Sequence, residues 1–157
     1  MSDDFHISYE RALHKAAAYC SRTEHCIAEL QDKLIAWKVQ EEDQSKIIKY
    51  ILEEGYIDEK RYALAYAKDK FRYNKWGKIK IALQLKSKQI SSDLIAESLD
   101  AIDEDDYREM VRKLTMQKVK GINYTHAYDR KAKLMRFLSS KGFEQAIVFA
   151  VLEELGY

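Results

Sequence analysis

The side chains best suited to catalysis or metal binding in this 157-residue chain lie near its start. His14, Cys20, His25 and Cys26 are the types that ligate zinc or form a thiol–imidazole nucleophile pair. Their spacing argues against both, because no C-x-x-C or H-x₃-H run is present. A phosphate-binding loop, G-x-G-x-x-G and H-E-x-x-H are absent as well. Asp103, Glu104, Asp105 and Asp106 form the densest acidic run. Carboxylates favour the positive end of a helix dipole, so this run reads as a helix start rather than a metal site. His6 and His126 stand alone and read as surface residues. The expectation is no catalytic residue, no metal and no cofactor.

The remaining chemistry is that of cations. Net charge is only +1, but it is segregated along the chain. Residues 68–88 carry +7, 89–106 carry −7 and 107–141 carry +8. Such blocks set up local fields suited to a polyanion or an acidic protein surface. On a helix turning 100° per residue, Tyr62, Ala63 and Tyr73 fall within about 60° of Tyr66, making a core face. Arg61, Lys68, Arg72 and Lys75 fall on the opposite side as a stripe. Trp76, Lys78, Lys80, Lys86 and Lys88 follow, with Trp76 readable as core or as contact. These nine are the first candidates for partner or DNA binding. Arg108, Arg112, Lys113, Arg130, Lys131, Lys133 and Arg136 form a second rank. Tyr124 and Tyr128 could stack on bases, but packing at a loop–helix junction is the preferred reading.

Composition dictates the elements that must carry these groups. There is no proline, where about 5% usage would give roughly eight, and glycine is also scarce, at five. Tight hairpins are therefore disfavoured, and Leu, Ala, Lys, Glu, Gln and Arg favour helices. The longest apolar run, 146–152, is seven residues and far short of a membrane span. The acidic, polar start does not resemble a secretory leader, and two cysteines suit a reducing cytoplasm. A soluble, cytoplasmic, all-α protein is expected.

A repeat of about fifty residues organises the helices. Residues 34–39, 85–90 and 138–143 share a pattern of Leu, variable positions and an apolar anchor, at offsets of 51 and 53. After the anchor, Ile95 and Leu99 match Val148 and Leu152, each pair at i,i+4. In the first unit Ile48 and Leu52 match them if 41–46 includes four extra residues. Asp58 and Ser91 suit helix N-caps, Gly55 suits a left-handed helix end, and Gly77 separates two helices. Ile79, Ile81, Leu83 and Leu85 alternate as in a strand, yet Ile81 and Leu85 also fit i,i+4 and the flanking residues prefer helix. The expected fold is an elongated array of three tandem three-helix modules over 9–57, 58–102 and 103–157, after a flexible segment over 1–8.

One stretch is specific. Gly55-Tyr56-Ile57-Asp58-Glu59-Lys60-Arg61-Tyr62-Ala63, with Tyr66 following, resembles the central motif of the RecX regulatory family. Trp76-Gly77-Lys78-Ile79-Lys80-Ile81, residues 85–90, Lys141-Gly142-Phe143 and the closing 152–157 are similar to further family blocks. Lys78 stands where the family usually has proline, and Gln89 where it usually has glycine. Cys26 takes the place of a capping serine three residues before Glu29, and Trp37 that of a lysine. The resemblance implies a non-catalytic protein that binds the RecA recombinase and its nucleoprotein filament. It implies inhibition of ATP hydrolysis and strand exchange, and so a damped SOS response. The alternative is an autonomous module binding single- or double-stranded DNA through its basic helix faces. No membrane partner is expected, and nothing requires more than a monomer.

Overall fold

In a computed structural model the described residues are 6–157, and among them every regular element is a helix. Any flexibility of residues 1–5 lies outside the described residues. The helices are α1 Tyr9–Arg22, α2 Ile27–Ala36 and α3 Glu41–Glu53, then α4 Glu59–Arg72, α5 Lys78–Ser87 and α6 Ser92–Asp100. The last three are α7 Glu104–Val119, α8 Ala127–Ser140 and α9 Gln145–Leu155. Extensive helix–helix packing falls within each successive group of three. The fold is a helical repeat array.

Caps explain the helix starts. Asp58 accepts from the Arg61 N–H at 3.1 Å, Ser91 from Leu94 at 3.4 Å and Asp103 from Asp106 at 2.9 Å. Each satisfies a backbone donor that a first helical turn leaves orphaned. The acidic run is thus the start of α7. Gly55 has φ 74°, the left-handed conformation that ends α3. The alternating stretch is helical: Ile81 and Leu85 are fully buried in α5, while Ile79 and Leu83 face out.

The repeat has a simpler register than the sequence suggests. Val39, Ile90 and Phe143 each precede their next helix by two residues, so α3, α6 and α9 start in step. No four-residue insertion separates the first unit from the others. Its buried pair is Ile47 and Ile51, whereas Ile48 is only half-buried and Leu52 is exposed. Ile47, Ser98 and Val151 occupy the same position and are all buried. The residue before each anchor, namely Lys38, Gln89 and Gly142, has positive φ of 60°, 63° and 97°. Only the third unit uses the residue type suited to that conformation.

Three cores follow the three groups, but they interlock. Cys26, which precedes α2, is buried in the second core with Tyr62, Ala63, Ile81 and Leu85. Phe71 and Ile102 pack against both the second and third cores.

Candidate binding cleft

Most of the predicted cations prove to be structural. Arg61 does not continue a free stripe. It bonds Glu24 at 2.5 Å and donates to the Gly55 and Tyr56 carbonyls, clasping the first group of helices to α4. Lys88 pairs with Glu29 at 3.3 Å across the same boundary. Glu29 also accepts from the Cys26 N–H at 3.2 Å, one half of a capping box in which the Cys26 side chain takes the serine's place toward the Glu29 N–H. Burial works to raise the Glu29 pKa, but the Cys26 N–H and Lys88 outweigh it and hold the carboxyl below its ordinary value. Trp76 is half-buried against the second core, with Lys70 and Lys80 over its ring at 5.0 and 4.8 Å. It is both packing residue and cation platform.

Lys78 belongs to the joint between the second and third groups. Here the N-terminus of α5 abuts the C-terminal turn of α8, with opposite ends of two helix dipoles in contact. The Gly77 N–H donates to the Lys141 carbonyl at 2.8 Å, and Ile79 to Gly142 at 3.0 Å. The Lys78 N–H donates to Tyr107 Oη at 3.0 Å, and the Tyr107 hydroxyl donates to Glu144. Burial, then the Glu144 bond, keep that phenol protonated well beyond its usual range. A proline at 78 could not make the bond to Tyr107. Sequence reasoning treated Gly77 only as a separator and missed Tyr107 and Glu144. Lys141-Gly142-Phe143, at the repeat's anchor at the end of α8, was the available signal.

Of the second rank, Arg108 pairs with Glu104 at 3.7 Å, and Arg112 with Glu109 and Glu154 at 3.3 and 2.9 Å. Lys131 pairs with Glu153 at 2.6 Å and Lys133 with Asp129 at 3.3 Å. Arg130 lies between the Tyr124 and Tyr157 rings. Arg136 and Lys86 are exposed, and Lys75 sits past the end of α4 with φ 59°.

What remains is a cleft of about 850 Å³ between α4 and α7, floored by the end of α6. Lys68 and Arg72 stand on the α4 wall and Lys113 on the α7 wall. None of the three has an ion-pair partner among the described residues. Asp69, Asp106 and Glu109 line the same walls, and Phe71 and Met110 supply apolar surface. Tyr73 also lines it. The wheel put this residue in the core, but at the cleft its ring is 72% exposed.

Among the described residues no group of His, Cys, Asp or Glu is placed to hold a metal ion. Cys20 and Cys26 are free, buried thiols, and burial pushes both pKa values up. His25 stacks on Tyr19 at 3.8 Å and hydrogen-bonds Thr23 and Glu29. Among the described residues no helix is long and apolar enough to cross a membrane.

The fold and cleft define a tandem array of three-helix units with a cavity of mixed charged and apolar lining between the second and third. Residues 58–99 match the family model described as the second three-helix domain of RecX, and 104–152 that described as the third. The chain belongs to the RecX family. It is 31% identical over 125 residues to regulatory protein RecX of Vibrio parahaemolyticus, covering 78% of this chain and 77% of that one. Identity to the protein of the same name from Clostridium botulinum (strain Alaska E43 / Type E3) is 34% over 128 residues, covering 80% of this chain but 59% of that one. The chain thus spans less than two thirds of this and several other clostridial relatives. The crystal structure of RecX from Lactobacillus salivarius has the same fold, with TM-score 0.85 and 22% identity over 99% of this chain and 98% of that one.

Proposed function

We propose that this RecX-family protein is a non-catalytic regulator that binds the RecA recombinase filament through the cleft between α4 and α7. The observation that carries the reading is the meeting of Lys68, Arg72 and Lys113, unpaired among the described residues, on the walls of one cavity. Family membership supports it, since the relatives are named as regulatory proteins. Acids on the same walls favour a protein surface of mixed charge over a phosphate backbone, which they would repel. Arginine adds bidentate recognition of a partner carboxylate. Occupying a filament groove would oppose ATP hydrolysis and strand exchange and so restrain SOS induction. The protein would act in the cytoplasm as a monomer.

The test is the DNA-dependent ATPase of preformed RecA filaments, titrated with substoichiometric protein. Inhibition is expected, and the Lys68→Glu/Arg72→Glu double substitution should raise the concentration needed by at least about tenfold, the loss of one or two charge-assisted contacts. No inhibition by the wild-type protein at several-fold excess over RecA refutes the reading. Equal inhibition by the double variant removes the cleft from it.

A further inference from the structure

The turn between the first two helices of each group lengthens along the chain, spanning 23–26, 73–77 and then 120–126. The longest carries aromatic side chains that the cores do not use. Tyr128, in the first turn of α8, is 80% exposed, and Tyr124 in the loop is 47% exposed. A ring as exposed as that of Tyr128 contributes little to packing, so the junction-packing expectation fails there, whereas Tyr124 packs on Arg130 of α8 at the loop–helix junction. The His126 ring lies 6.2 Å from Tyr128 at 30°.

The loop is braced from beneath. Arg130 holds its guanidinium over Tyr124 at 4.9 Å and over Tyr157 at 4.6 Å, and donates to Tyr124 Oη at 3.3 Å. Its Nε is buried with no partner. Lys133 donates to the Asn123 carbonyl at 2.5 Å, and the Thr125 N–H donates to Asp129 at 3.2 Å. Tyr124 is therefore held in place over a fixed cation.

The charge around the rings is mostly positive. Lys118 and Lys120 are exposed, and no acidic side chain occurs over 117–128. Asp129, the nearest acid in sequence, is occupied by Thr125 and Lys133. Exposed rings in a turn that begins with Lys120 and carries no acid of its own suit unpaired bases that stack while the backbone is neutralised. A duplex offers phosphates but keeps its bases stacked within the helix.

We propose that the α7–α8 turn is a single-stranded nucleic-acid platform, with Tyr128 and Tyr124 stacking bases and Lys118 and Lys120 meeting the backbone. This site is separate from the α4–α7 cleft and needs no recombinase, so either reading can fail alone. The test is anisotropy of a fluorescein-labelled oligothymidylate with the full chain at low salt, against a duplex of equal length and a polyglutamate competitor. Binding that favours the single strand is expected. Tyr128→Ala should weaken it about tenfold, the order of one lost stack, and Tyr128→Phe should preserve it. Because Tyr128 is exposed, far-UV circular dichroism should report an unchanged fold in both variants. Three results overturn the proposal: no binding by the wild type, equal affinity for Tyr128→Ala, or equal loss in Tyr128→Phe. Displacement by polyglutamate at equal charge also overturns it, by identifying the patch as an acidic-protein site.

Discussion

Replacing Gly77 by alanine would test the joint between the second and third groups of helices. Gly77 has φ −78°, so alanine meets no backbone penalty there. A Cβ would instead lie under 3.0 Å from the carbonyl carbon and oxygen of Gly142 and from the Phe143 nitrogen. These are backbone atoms in a turn and cannot rotate away, so α5 and the α8–α9 turn must part. Separation breaks the bonds from Gly77 to Lys141, Ile79 to Gly142 and Lys78 to Tyr107. At about 1 kcal/mol net each, the loss is ~3 kcal/mol. The groups keep their own cores, so unfolding should also become less cooperative. Urea denaturation followed by circular dichroism gives the stability, and Trp76 fluorescence reports the joint. Amide exchange at Gly77 and Ile79 should accelerate. Two controls bracket the effect. Gly121→Ala places its Cβ in open space and should be near neutral, while Gly55→Ala costs only its left-handed φ, about 1 kcal/mol. A Gly77→Ala curve that overlays that of Gly121→Ala would refute the reasoning.

Two further substitutions probe local chemistry. Gln89→Gly should stabilise by about 0.5 kcal/mol, raising Tm by ~1–2 °C, because relief of positive φ exceeds the added chain entropy; differential scanning calorimetry reads it, and a lower Tm contradicts it. Glu29 has a folded pKa below its ordinary value of 4.5, so its contribution is present above that value and is lost as pH falls through the folded pKa. Glu29→Gln should therefore be less stable than wild type at pH 7, and the two should converge as pH falls through the folded pKa in urea titrations. Glu59, whose pKa burial raises, acts in the opposite sense in both proteins and so cancels in the difference.

Much of the fold was written locally. Caps at Asp58, Ser91 and Asp103, the left-handed Gly55 and the i,i+4 pair Ile81/Leu85 each depend on neighbours within a turn or two. The repeat was legible, but its register in the first unit was not. An apolar pair at Ile48/Leu52 resembles one at Ile47/Ile51 until α1 shows which face is covered. Tyr73 was misplaced for a related reason, since a wheel gives a side chain's direction but not whether a cleft lies there.

The candidate sites divide along the same line. Sequence by itself determined an all-helical chain, its threefold repeat, its charge blocks and its resemblance to RecX, because these depend on residue type and near spacing. Only the tertiary structure decided which cations are spent. Arg61 and Lys88 went to ion pairs at a joint between groups and Lys78 to the face of the Tyr107 ring, while Lys68, Arg72 and Lys113 came together across a cleft. The physical reason is that a cation's availability depends on partners far away in the chain, such as Glu24 or Glu29, that no helical wheel contains. Gly77 and Gly142 make the same point in steric terms, since a Cβ on Gly77 would meet the backbone of Gly142 and Phe143, and one on Gly142 would meet Lys80.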